Sequence, residues 1–238
     1  MAGVILRNVS NVCGKTEVGE DVRLLLIDTC GDGAGVAVSL GERVVASESL
    51  PHGGGSAEII GAIQRVVANA GCALAELNGV GVVSGPGSFT GVRVGMAAAK
   101  GLAEAAELRM ITVSRMRVLA ETAALVDGYV VLDAGRGEFY ATEMKDGHAG
   151  PEQLVDLAFL QVEARGREVV VAEERVMARL SESAPEILLR LQPLRVSDAL
   201  EPVLQMYCSK AQEMSLADAT YVRRESDIYK PKANVGNV

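Results

Sequence analysis

Residues 79–95 read GVGVVSGPGSFTGVRVG, an apolar run that leads into a glycine-rich turn and then into the start of a helix. Residues 79–83 have the length and composition of a buried strand. A turn between a strand and a helix leaves backbone N–H groups open at the helix N-terminus, where an anion can bind. It also allows close packing, because Gly91, Gly95 and Ala99 recur on one helical face. The spacing favours close packing over an anion site.

Upstream of this stretch, the pattern predicts a meander of three strands followed by a helix. The strands are Arg23–Asp28, Gly35–Leu40 and residues 43–50, separated by turns that contain glycine. Residues 56–71 show a helical spacing of isoleucine and valine and end at a glycine. With the strand at 79–83, these elements predict one α/β subdomain whose sheet is antiparallel at one edge.

Downstream, the pattern continues and then repeats in part. The predicted elements are a helix at 90–106, a strand at 110–113, a helix at 114–126, and strands at 129–134, 138–144 and 168–171. The strand pair that opens with YVVLDA, residues 129–134, suggests a second, reduced copy of the first subdomain. We therefore predict an α/β fold with two related subdomains, 23–126 and 127–238, after a loosely ordered leader at 1–22.

The composition narrows the classes of function. The net charge of −8 argues against a chain that binds nucleic acid by itself. The four cysteines form no C-x-x-C pair, so a structural zinc site is not expected. We expect a cytoplasmic protein, and no apolar run reaches membrane-spanning length. His52 and His148 cannot form an H-x-x-x-H pair on one helix. Val92 occupies the position at which a P-loop has lysine, so the P-loop motif is absent from this turn. Ser88 does not lie in a G-x-S-x-G motif, so the turn does not match the nucleophile elbow of a serine hydrolase.

The end of the first predicted strand is a candidate contact for a nucleotide. Asp28 and Thr29 close this strand, at the place where sugar kinases hold a phosphate or a metal ion. With Gly85 and Gly87 of the glycine-rich turn, they form a candidate nucleotide-binding set. In the alternative interpretation, Asp28 only ends a buried strand and accepts a hydrogen bond within its own turn.

Residues 85–95, GPGSFTGVRVG, resemble the GPGSFTGxRxG signature of the TsaB (YeaZ) family. Three further segments match the family pattern in the expected order, at 24–40, 131–144 and 217–231. The resemblance implies the actin-like ATPase fold (ASKHA, ribonuclease H-like), which is shared with the catalytic paralogue TsaD. It also implies a part in threonylcarbamoylation of adenosine 37 in tRNAs that read codons beginning with adenine.

The resemblance further implies partners rather than a firmly bound cofactor. The partners are a TsaD-type catalytic paralogue, a TsaE-type P-loop ATPase and a second copy of the chain, with tRNA reached only through the complex. ATP would be used by the complex rather than by this subunit. TsaD carries a metal-binding histidine pair in the segment that resembles residues 113–121, and the matching positions here are Arg115 and Leu119. Neither side chain can hold a catalytic iron or zinc, so a non-catalytic subunit is implied.

If no catalysis resides here, function must reside in an interface, and the resemblance places it on the helices at 56–71 and 90–106. Small residues on these helices allow two backbones to approach closely. The candidate interface residues are Ala57, Gly61, Gln64, Gly91, Gly95, Ala98, Ala99 and Leu102. A competing interpretation is an ATPase or small-molecule kinase that uses Asp28 and the turn at 85–91, with Asp133 as the available acid. A protease is the other alternative, for which no nucleophile–base pair is found.

Overall fold

The computed structural model describes residues 19–51 and 55–209, which form two β-sheets flanked by helices. The first sheet contains β1 (Arg23–Asp28), β2 (Gly35–Leu40), β3 (Arg43–Ser49), β4 (Gly79–Val83) and β5 (Arg109–Val113). The second contains β6 (Gly128–Gly135), β7 (Glu138–Lys145), β8 (His148–Ala149), β9 (Gln153–Val155), β10 (Glu168–Val171) and β11 (Leu188–Leu191). The α-helices are α1 (Gly55–Asn69), α2 (Phe89–Ala105), α3 (Arg115–Thr122), α4 (Leu157–Glu163), α5 (Glu174–Ser183) and α6 (Leu200–Cys208). Most of the predicted leader and the matching segment at 217–231 lie outside the described residues.

The first sheet has the strand order β3-β2-β1-β4-β5, with β1 antiparallel to β2 and parallel to β4. Helices cover both of its faces. A β-carbon at Gly95 of α2 would touch Ile27, whereas one at Gly81 would touch Leu26 and Val203 of α6. Because successive side chains of a strand point to opposite faces, the four inner positions of β1, Leu24 to Ile27, and the whole of β4 carry no polar side chain.

The second sheet repeats the first. Its order is β11-β10-β6-β7-β8, with β9 also paired to β7. The strand β6 is antiparallel to β7 and parallel to β10, as β1 is to β2 and β4. The copy is reduced in its helices, because α4 and α5 have 7 and 10 residues whereas α1 and α2 have 15 and 17. The related sheets and the shorter helices confirm the predicted fold of two related subdomains, the second reduced.

The chain crosses back to the first sheet after β11, which the division at 126/127 did not anticipate. A 3-10 turn (Val196–Ala199) and α6 pack their apolar residues into the core of the first sheet. These apolar residues cover the sheet face opposite α1 and α2. The helix α3 lies between the sheets: it contacts β6, β7 and β10 of the second sheet, and also the 3-10 turn and α6, which pack on the first sheet. It ends at Thr122, before residue 126, because Ala124 adopts a positive φ of 48°.

Candidate functional site

A cleft of about 570 Å³ opens between the two subdomains, beyond the C-terminal ends of β1 and β6. Its walls come from the loop after β1, the start of α2, the start of α3, the β6–β7 hairpin and the residues that follow β10. Ligands of open α/β sheets commonly bind beyond the carboxyl ends of the strands. We therefore take the cleft as the candidate functional site.

Glycines hold α2 and its preceding turn against the end of β1. The Thr29 hydroxyl donates a hydrogen bond to the Gly91 carbonyl at 2.6 Å. A β-carbon at Gly91 would lie closer than 3.0 Å to the Thr29 carbonyl oxygen, and one at Gly95 equally close to the Thr29 hydroxyl. A β-carbon at Gly87 would meet the Cys30 carbonyl oxygen in the same way. These glycines therefore serve close packing, which is the interpretation that their spacing favours.

Asp28 lies beneath the cleft rather than in its wall. The residue is 3% exposed, and its Oδ1 accepts a hydrogen bond from the Cys30 N–H at 2.8 Å. Burial raises the pKa of Asp28, although the nearby Arg115 acts in the opposite direction. In the second subdomain, Asp133 Oδ1 accepts from the Gly135 N–H at 2.9 Å, so both sheets carry the same turn. The alternative interpretation of Asp28, a hydrogen bond within its own turn, is what the structure shows.

The structure divides the candidate nucleotide-binding set. Thr29 and Gly87 line the cleft. Gly85 is buried behind it, and its carbonyl accepts a hydrogen bond from the Arg115 N–H at 2.6 Å. Gly85 holds the start of α3 in place and is not among the residues that line the cleft.

A buried ion pair joins the two subdomains across the cleft. Arg115 Nη2 lies 2.8 Å from Glu173 Oε1, and the two side chains are 5% and 2% exposed. Burial alone would lower the pKa of Arg115, but the carboxylates of Glu173 and Asp28 raise it above its usual range. Gly31 makes room for the guanidinium, because a β-carbon there would overlap it. Arg115 is therefore a permanent cation held by the protein's own acids.

Glu173 was not among the residues predicted from the sequence. The available signal was its position, since it follows the apolar residues of β10 as Asp28 ends β1. The two residues of the ion pair lie far apart in the chain, so no local pattern could reveal that they are partners.

The positions that match the TsaD histidine pair are occupied by structural side chains. Arg115 is held in the ion pair, and Leu119 is fully buried in the core of the first sheet. Within residues 19–51 and 55–209, no group of three or more His, Cys, Asp or Glu side chains is placed to hold a metal ion. Over the same part of the chain, no helix is long and apolar enough to cross a membrane.

Part of the predicted interface strip needs correction. Gly95 and Ala99 are buried inside the chain, and Gly91 is half-buried against Thr29. The face of α2 that carries Gly91 and Gly95 is turned toward the end of β1, because only residues without a β-carbon allow the helix to approach so closely. Gly95 and Ala99 are therefore not available to a partner, and Gly91 borders the cleft rather than the outer face of the helix.

The outer face of the α1–α2 layer lies next to the predicted strip. Ala97 and Gly101 of α2 are exposed, as are Ile60 and Gln64 of α1. The other predicted positions that the structure describes are half-buried, namely Gly61, Ala98 and Leu102. The side chain of Ala57 lies outside the described part of the chain. Ile60 is one of the large apolar residues that the structure leaves exposed, at 49%.

Comparison with known proteins relates the chain to tRNA modification. A family model described as TsaD, tRNA N6-adenosine threonylcarbamoyltransferase, matches residues 55–189. The chain is 35% identical to the tRNA threonylcarbamoyladenosine biosynthesis protein TsaB of Escherichia coli over 133 residues, which are 54% of this chain and 58% of that protein. It is 32% identical to a tRNA N6-adenosine threonylcarbamoyltransferase of Bradyrhizobium diazoefficiens over 126 residues, 49% of this chain and 35% of that protein. The chain thus spans about half the length of the curated relatives it matches.

A solved structure shares the fold. YeaZ from Pseudomonas aeruginosa superposes with a TM-score of 0.63 at 22% identity, over 79% of this chain and 93% of that one. With the duplicated sheet topology, this likeness confirms the prediction of an actin-like α/β fold.

Proposed function

This chain belongs to the family of TsaD, and within it to the TsaB (YeaZ) group; on that premise we propose that it is a non-catalytic subunit in threonylcarbamoylation of adenosine in tRNA. In this proposal it works in the cytoplasm with a TsaD-type transferase and a TsaE-type ATPase, and a second copy of the chain competes for the same surface. The complex, rather than this subunit, uses ATP and reaches the tRNA. The net charge of −8 supports the last point, because a chain that held tRNA alone would need a basic surface.

The proposal of a non-catalytic role is supported mainly by the contacts of Arg115 and Leu119. If a metal centre stood here, both side chains would have to face the cleft with free donor atoms. Arg115 is instead held by Glu173, and Leu119 packs in the core. Replacing both by histidine would remove an ion pair and place a polar ring in an apolar core, so the chain cannot regain a metal site by small changes.

The proposed docking surface for the transferase is the exposed face of α1 and α2. The two helices contact each other on one face of the first sheet, and the exposed residues Ile60, Ala97 and Gly101 offer small or apolar contacts among charged neighbours such as Arg65 and Lys100. Two such layers from related proteins can form a contact of four helices with a small, apolar centre.

The proposal is tested by reconstitution with purified proteins. Threonylcarbamoyl-adenylate and unmodified tRNA are supplied to this chain, to the TsaD-type and TsaE-type proteins of the same cell, and to all three together with ATP. We expect the modified nucleoside, measured by mass spectrometry, only when this chain and the TsaD-type protein are both present. Modification by this chain alone would refute the non-catalytic role. ATP turnover by the isolated chain would favour the kinase or ATPase interpretation instead.

A further inference from the structure

The cleft contains one deeply buried cation, and it is already occupied by a side chain of the protein. Among the described residues that line the cleft, the basic ones are Arg115 and Arg175. Arg175 is 58% exposed and lies 3.7 Å from Asp133, so solvent and that acid screen it. Arg115 is buried, and its guanidinium faces Glu173 at 2.8 Å.

The side chain of Glu173 has an orientation that is unusual for an acid at the start of a helix. It is the N-cap residue of α5, where a side-chain oxygen usually accepts hydrogen bonds from the first N–H groups of the helix. The Glu173 side chain makes no such bond and turns to Arg115 instead. The carboxylate thus lies where an anionic ligand of Arg115 would lie.

The ion pair leaves hydrogen-bonding capacity unused on both sides. Arg115 Nε and Glu173 Oε2 are buried, and neither has a hydrogen-bond partner among the described residues. A phosphate group, with three oxygens, can bind a guanidinium through two parallel hydrogen bonds, which a single contact with Glu173 does not provide. The start of α2, capped by Ser88, borders the same cleft and presents N–H groups there.

We propose that Glu173 acts as an internal anion that occupies Arg115 and keeps oligophosphate out of the cleft. An entering oligophosphate would have to displace Glu173 and leave a buried carboxylate without its cation. Neutralising Glu173 removes this competitor and converts the cleft into an oligophosphate site. The inference rests on the ion pair and the cleft alone and does not depend on the proposed role in tRNA modification.

The test measures binding of inorganic tripolyphosphate by calorimetry, with the thermal shift of the full chain as a second readout. We expect Glu173→Gln to bind tripolyphosphate more tightly than the unaltered protein by about tenfold or more, since tenfold corresponds to ~1.4 kcal/mol. The matched control is Glu174→Gln, which removes the same charge from the neighbouring, exposed position and should bind no more tightly than the unaltered protein. Adding Arg115→Met to Glu173→Gln should abolish the gained binding.

Three results would overturn the inference. They are binding by the unaltered protein as tight as by Glu173→Gln, equal binding by Glu173→Gln and Glu174→Gln, and a folded Glu173→Gln protein that does not bind. If Glu173→Gln does not fold, Glu173→Asp decides, because a carboxylate shorter by one methylene withdraws from Arg115 while the charge remains. Tighter binding by Glu173→Asp than by the unaltered protein supports the inference, and binding no tighter than that of the unaltered protein overturns it.

Discussion

Replacing Gly91 with alanine tests whether α2 is held by close contact with the end of β1. The added β-carbon would lie closer than 3.0 Å to the Thr29 carbonyl oxygen, a backbone atom that cannot rotate away. An ordinary contact of this kind is 3.4–4 Å. The first turn of α2 must therefore move outward, and the 2.6 Å hydrogen bond from the Thr29 hydroxyl to the Gly91 carbonyl is stretched or lost.

The expected size follows from three effects, two destabilising and one stabilising. Forcing an extra methyl group into a well-packed site destabilises by about 1–3 kcal/mol. Losing a hydrogen bond adds about 1 kcal/mol, whereas alanine in place of glycine within a helix returns about 0.5–1 kcal/mol. We expect Gly91→Ala to lower the free energy of unfolding by about 1–3 kcal/mol, which corresponds to a fall in Tm of roughly 2–4 °C for each kcal/mol in a chain of this size.

Urea unfolding followed by circular dichroism measures this change directly. The matched control is Gly101→Ala on the same helix, where a new β-carbon would meet nothing within 4 Å. We expect the control to gain about 0.5–1 kcal/mol from the helix propensity of alanine. A Gly91→Ala protein as stable as the control would show that the contact with Thr29 does not hold α2.

Three further predictions concern the docking face, pH and thiol chemistry. Ala97→Glu, on the exposed face of α2, should leave the fold intact and abolish binding to the TsaD-type protein in size-exclusion chromatography. Ala99→Glu should instead unfold the chain, because Ala99 is fully buried. A folded Ala97→Glu protein that binds normally would put the interface elsewhere. Burial raises the pKa of Glu152 above its ordinary value of 4.5, so the native state binds its proton more tightly than the unfolded chain and stability declines as pH rises above that value. Glu152→Gln should remove that decline, and urea midpoints at acid and neutral pH that fall equally in both proteins would contradict it. The thiol of Cys30 is 1% exposed and burial raises its pKa well above the ordinary value, so iodoacetamide should leave it intact in the native protein while the half-exposed Cys72 reacts, as peptide mass spectrometry can check.

Most of the secondary structure could be predicted from the sequence because it depends on short-range patterns. The strands β4 and β10 have the predicted bounds, and α2 is displaced by only one residue from the predicted helix. The glycine spacing on α2 also predicted close packing, because a stripe of small residues has a direct steric use.

The direction of that packing was not accessible from the sequence. Gly95 and Ala99 were assigned to a partner interface, whereas the structure turns them toward β1. A stripe of small residues indicates that another backbone packs closely against the helix. That backbone can belong to a strand of the same chain or to a helix of a partner. Only the path of the chain in space decides between them.

The family could be predicted from the signature at residues 85–95. The two-subdomain α/β fold and the turn from Gly85 to Gly91 could also be predicted, because turn chemistry and hydrophobic period act over a few residues. The tertiary structure alone decided three things: the return of residues 196–208 to the first sheet, the position of Gly85 behind the cleft, and the ion pair of Arg115 with Glu173. Each of these joins segments that are distant in the chain, and the free energy that brings them together comes from burial and charge pairing, which no local pattern records.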